Sequence, residues 1–107
     1  MLNLSQTCLV LIQQLAERVL QTPCEIWAYG SRVRGDSHVG SDLDMVIRTH
    51  DLSPLPAVEL QAFKEACRES NIPILVDIMD WGRIPVAFHA QIMQAHEIIW
   101  RSNDGDI

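Results

Sequence analysis

Asp42 and Asp44, separated only by Leu43, follow shortly after Gly30-Ser31 in the run GSRVRGDSHVGSDLDMVI. Leu43, Met45, Val46 and Ile47 around the acids are strand-compatible apolar residues, and on a strand the side chains at i and i+2 point to one face. Two carboxylates held side by side repel each other unless a cation stands between them. A tight Gly-Ser turn offers backbone N–H groups to a phosphate. Carboxylates for a cation and amides for a phosphate together describe a site for a metal-bound nucleotide triphosphate.

Two-metal phosphoryl chemistry calls for a further acid, because each Mg²⁺ takes near-octahedral oxygen ligation and keeps some water. Asp77, in Val76-Asp77-Ile78, supplies one. An ionised aspartate between apolar residues is costly in mid-strand unless a cation or a partner satisfies it. Asp80, beside Trp81-Gly82, is the weaker candidate. In the resulting scheme Asp42 and Asp44 hold the nucleotide-bound Mg²⁺ and bridge to a second ion. Asp77 ligates that second ion and lowers the pKa of an acceptor hydroxyl or deprotonates it. The hydroxyl attacks the α-phosphate in line and pyrophosphate leaves. Gly30 and Ser31 grip the β- and γ-phosphates, and Arg32 or Arg34 neutralises the leaving group; the spacing does not choose between the two arginines.

These residues need elements to position them. Cys8, Ile12, Leu15 and Val19 recur at helical spacing and predict a helix over 4–21, ended by Thr22-Pro23. Residues 25–29, EIWAY, form a strand leading into Gly30. Ser31 is the expected N-cap of a short helical turn ending at Gly35, and 36–41 is a polar loop. Over 42–48 a strand alternates Asp42, Asp44 and Val46 with Leu43, Met45 and Ile47. A second helix over 56–70 buries Leu60, Phe63 and Cys67, with Asn71 capping its end. Pro73 precedes a third strand over 74–79, and Pro85 is the N1 residue of a third helix on which His89, Ile92, Met93 and His96 share a face. Ile98-Ile99-Trp100 reads as a short edge strand, since Ile98 and Ile99 are β-branched. The expectation is an α/β (α+β) fold with a small mixed sheet: one domain over 1–107, with 101–107 as a frayed tail.

Composition narrows the function. Apolar residues make up 48% of 107 residues, enough for one core but not for a deep enclosed pocket. Eight basic against 14 acidic residues leave a net charge of −6, and Lys64 is the only lysine. No basic stripe follows from this, which argues against direct nucleic-acid binding. Cys8, Cys24 and Cys67 are odd in number and contain no C-x-x-C, so they read as reduced thiols in a cytoplasmic protein. The apolar N-terminus has no basic n-region and is interrupted by Gln6, Gln13 and Gln14, so neither signal peptide nor membrane span is expected. His38 reads as a loop residue, and His89 and His96 lack a third ligand for zinc. The three tryptophans read first as core.

The spacing of Gly30-Ser31, Asp42, Asp44 and Asp77 resembles the DNA polymerase β-like nucleotidyltransferase superfamily. Trp27 to Ile47 and Val76 to Trp81 are similar to the minimal nucleotidyltransferases within it, and the element order matches over nearly the whole chain. The resemblance implies a polymerase β palm-like fold and an adenylyltransferase that uses ATP and two Mg²⁺ ions. It also implies a HEPN-domain partner: an RNase toxin, neutralised by AMP transfer to a tyrosine hydroxyl, with the minimal nucleotidyltransferase as antitoxin. Two other functions fit the same pattern: an antitoxin that acts by binding alone, and a nucleotidyltransferase for a small hydroxylated acceptor.

Overall fold

The computed structural model describes residues 2–102. Helix α1 (Gln6–Val19) is opened by Ser5, whose hydroxyl accepts the Cys8 N–H at 3.2 Å. Its buried stripe is Cys8, Ile12, Leu15 and Ala16. Strand β1 (Cys24–Tyr29) runs directly into a one-turn helix, α2 (Ser31–Arg34). Gly35 ends that turn in the left-handed region, at φ 94°, a conformation that costs glycine little because it has no Cβ. Strand β2 (Leu43–Thr49), helix α3 (Ala57–Arg68) and strand β3 (Val76–Asp80) follow. A single 3₁₀ turn over Trp81–Arg83 then leads to α4 (Val86–Gln94) and the last strand, β4 (His96–Arg101).

The sheet order is β3-β2-β1-β4. β1 lies antiparallel to both β2 and β4, whereas β2 and β3 are parallel. A parallel pair needs a crossover connection, and α3 supplies it. The alternation along β2 sorts the two faces. Leu43, Met45 and Ile47 join Ile26, Ala28 and Ile78 under α1 and α3, where Phe63 of α3 is fully buried. Val46 faces the other way, into a smaller cluster with Trp27, Tyr29, Trp81 and Ile92 of α4. Asp44 of β2 and Asp77 of β3 sit on this second face.

Several boundaries differ from expectation for local reasons. Gly30, not Ser31, occupies the N-cap position of α2, and Ser31 is its first helical residue. Pro85 is the N-cap of α4. Helix α3 stops at Arg68 with Glu69 as its C-cap, short of Asn71. His96 leaves the helical face it was expected to share and opens β4, stacking on Trp27 with centroids 4.0 Å apart. His89 stacks on Trp81 at 3.8 Å. Residues 98–100 do lie in an edge strand, β4. Of the expected frayed tail, Arg101 is paired in β4 and Ser102 is buried, its hydroxyl accepting the Cys24 N–H at 3.0 Å. Residues 103–107 lie outside the described ones. Among the described residues no helix is long and apolar enough to cross a membrane, and the three cysteines are buried and form no disulfide.

Candidate active site

Three neighbouring strands each place one polar side chain in a row. Tyr29 of β1 is in register with Asp44 of β2, and Asp44 is in register with Asp77 of β3. The row lines a cavity of about 650 Å³. Gly30, Ser31 and Arg34 form one wall of it, and Phe88, Gln91 and Ile92 of α4 form another.

Gly30 is fixed by the acid beside it. Its φ is 82°, in the region that favours glycine, and a Cβ there would overlap Oδ2 of Asp44. The turn therefore brings its backbone against the carboxylate. The Gly30 carbonyl accepts the N–H groups of Val33 and Arg34, each at 3.0 Å, which winds α2 tightly behind the turn.

Crowding of carboxylates marks the electrostatics of the row. Burial raises the Asp44 carboxyl above its ordinary pKa, Asp77 and Asp42 raise it further, and Arg34 opposes them. Tyr29 is pushed up to about 12 by burial and by the negative charges of Asp44 and Asp77. Its hydroxyl is thus a proton donor at neutral pH.

The sequence-derived candidates separate into groups. Gly30, Ser31, Arg34, Asp44 and Asp77 converge on the cavity. Asp42 precedes β2 at the end of the polar loop, is exposed, and does not line the cavity, although its charge is felt at Asp44.

Arg32, expected as a phosphate ligand, is turned away and only 6% exposed. Its guanidinium donates to the carbonyl oxygens of Ser41 (2.9 and 3.0 Å) and Asn3 (2.8 Å). Arg32 thus clamps the loop that leads into Asp42. The correction has a geometric cause: residues two apart on a helix lie about 200° apart around its axis, so Arg32 and Arg34 cannot serve the same side.

Asp80 is buried on the opposite face of β3 from Asp77. It accepts the N–H groups of Leu55 and Gly82 and pairs with Arg83, so its charge is consumed structurally. Tyr29 escaped notice in the sequence; its position directly before Gly30 was the available signal. Phe88, Gln91 and Ile92 carried no such signal, because nothing local in α4 indicates what it covers.

The donor set fits Mg²⁺, since hard cations take oxygen ligands. Among the described residues, however, no three His, Cys, Asp or Glu side chains stand close enough to hold an ion by themselves. Asp44 and Asp77 supply carboxylate oxygens at the cavity and Asp42 could add its own only from the loop, so any ion held there takes the rest of its shell from phosphate oxygens and water.

A family model described as "Polymerase beta, Nucleotidyltransferase" matches residues 11–105. The chain belongs to this nucleotidyltransferase family. It is 36% identical over 74 residues to a Haemophilus influenzae protein named "Probable protein adenylyltransferase MntA". That match covers 69% of this chain and 63% of the relative, so the chain spans less than two thirds of the relative's length.

Among solved structures, a toxin–antitoxin crystal structure with AMP-PNP aligns at a TM-score of 0.70 and 18% identity, over 92% of this chain and 77% of that one. A crystal structure of the MntA–HepT toxin–antitoxin aligns at 0.66 and 16%, over 95% and 77%. A tri-AMPylated Shewanella oneidensis HEPN toxin in complex with MNT antitoxin aligns at 0.66 and 16%, over 94% and 76%. At these identities the likeness concerns the fold.

Proposed function

We propose that this chain is a Mg²⁺-dependent adenylyltransferase that moves AMP from ATP to a tyrosine hydroxyl of a HEPN-domain RNase toxin, and so acts as its antitoxin. The observation that carries this reading is the registered pair Asp44–Asp77, set against a glycine turn with no room for a side chain. The relatives support the choice of nucleotide and acceptor: one is named as a protein adenylyltransferase, and one fold neighbour contains an AMPylated HEPN toxin.

In this mechanism Ser31 and the backbone around Gly30 receive the β- and γ-phosphates, and Arg34 neutralises the pyrophosphate as it leaves. Asp44, with Asp42 reaching in from the loop, would hold the nucleotide-borne Mg²⁺, and Asp77 would hold a second. Bound there, the ions screen the phosphate charge and acidify the acceptor hydroxyl. Asp77 stands beside Asp44 at the edge of the sheet, placed to take the tyrosine proton as the oxygen attacks the α-phosphate. Tyr29, protonated, lines the cavity beside the acids and can donate to a bound phosphate oxygen. Three buried thiols with no disulfide support a cytoplasmic setting.

The test is to incubate the chain with ATP, Mg²⁺ and the partner toxin, then weigh the toxin. Added mass in multiples of AMP is expected; no increment overturns the proposal.

A further inference from the structure

A second cavity, of about 350 Å³, lies between α3 and the edge of β3. Lys64, Cys67 and Arg68 form its helical wall, and Ile74, Leu75 and Val76 its opposite wall. Asp77 lines this groove and the nucleotide cavity alike, so the two meet at the acid placed to accept the hydroxyl proton. Their positions along the sheet are ordered. The phosphate-gripping turn follows β1, the acids lie on β2 and β3, and the groove opens beyond β3. In-line displacement needs the nucleophile and the leaving group on opposite sides of the phosphorus, and this order provides that.

We infer that the groove between α3 and β3 seats an extended, acidic segment of the acceptor protein and delivers its hydroxyl to Asp77; this rests on the nucleotidyl-transfer reading above. Charge favours it. On a chain of net charge −6 the groove presents two cations, Lys64 and Arg68, on its helical wall against one acid, Asp77, at the end where it meets the nucleotide cavity. Lys64 is in no ion pair among the described residues, while Arg68 pairs with the exposed Glu65 beside it.

Backbone geometry favours it too. β3 is an edge strand with no strand on its outer side among the described residues, and such an edge can accept a partner segment as a further strand. Leu75, at 75% exposure, and half-buried Ile74 suit apolar side chains of that segment. A phosphodiester strand is the poorer occupant: two cations beside apolar walls cannot offset the acidity of the whole chain.

The test measures binding separately from transfer. Two fluorescein-labelled peptides, each with one central tyrosine flanked by glutamates in one and glutamines in the other, are titrated with the full chain and followed by anisotropy. A short labelled single-stranded oligoribonucleotide is the third probe. The glutamate peptide is expected to bind about tenfold more tightly than its glutamine twin. The variant K64E/R68E is expected to lose that preference and to favour a lysine-flanked peptide. K64Q/R68Q, checked by circular dichroism, repeats the loss with milder substitutions.

Equal affinities for the first two peptides overturn the inference. So does a preference that survives both variants, or an oligoribonucleotide that binds more tightly than the glutamate peptide. Mass analysis of the partner toxin reads the transfer itself. Its failure alongside a retained peptide preference strikes the proposed activity and leaves the groove standing.

Discussion

Asp44 and Asp77 face each other in register across the one parallel strand pair in the described sheet. Each raises the cost of ionising a neighbour in the same row, Tyr29 included. Two adjacent carboxylates weaken the fold they sit in unless a cation or a partner satisfies them.

Removing either charge should therefore cut activity without harming the fold. Asp77→Asn is expected to slow AMP transfer by roughly 10²–10⁴-fold, the usual worth of a positioned base, while ATP still binds. Asp44→Asn is expected to lose both transfer and Mg²⁺-dependent ATP binding. Both variants should melt no lower than the parent. Single-turnover transfer, calorimetric ATP titration and thermal unfolding check the three statements.

Gly30→Ala tests the turn. The added methyl overlaps the Asp44 carboxylate and forces alanine to φ 82°. A carboxylate displaced by about an ångström costs on the order of 10²-fold in rate, and the strained backbone costs roughly 1 kcal/mol or more. Transfer rate and a urea titration are the measurements, and an active, fully stable Gly30→Ala would refute the tight fit.

The two arginines of α2 should fail in different ways. Arg32→Ala leaves the Ser41 and Asn3 carbonyls without their buried partner and should lose about 2–4 kcal/mol, with activity falling because the loop into Asp42 is released. Arg34→Ala should change stability by under about 0.5 kcal/mol and weaken ATP binding instead. Equilibrium unfolding and KM for ATP separate them.

This pair also shows how far the sequence reached. Local residue types and alternation located the Gly30-Ser31 turn, the opposite faces of Asp44 and Leu43, and the edge strand through Ile99, because each depends only on near neighbours in the chain. The direction of Arg32 was decided by carbonyl oxygens of Ser41 and Asn3, the latter far away in sequence. The wall formed by Phe88 and Ile92 depends on how α4 folds back over β1 and β2, which no local pattern encodes. Asp42, Asp44 and Asp77 looked equivalent as letters, yet two lie on strands and one on the loop before them.

Alkaline pH should unfold the chain partly through Cys67. Burial pushes this thiol up to about 11 from 9.0. A pKa higher in the folded state means stability is full below the unfolded value and declines as pH climbs from about 9 towards 11. Between pH 8 and 10.5 the parent should lose about 1–2 kcal/mol more than Cys67→Ala, in urea titrations at each pH. Native Cys67 should also alkylate about a hundredfold more slowly at pH 8 than in urea, provided that reaction follows thiolate content.

Asp77 rides on a border strand with a single neighbour, and this makes site occupancy legible as local order. Metal-bound nucleotide held by Asp44 and Asp77 would tie β3 to β2, adding a link at an edge of the sheet. Amide hydrogens of residues 76–80 should exchange faster than those of β1 without nucleotide and slow markedly once Mg²⁺ and an ATP analogue are present. The substrate would then finish the folding of the strand that carries its own catalyst.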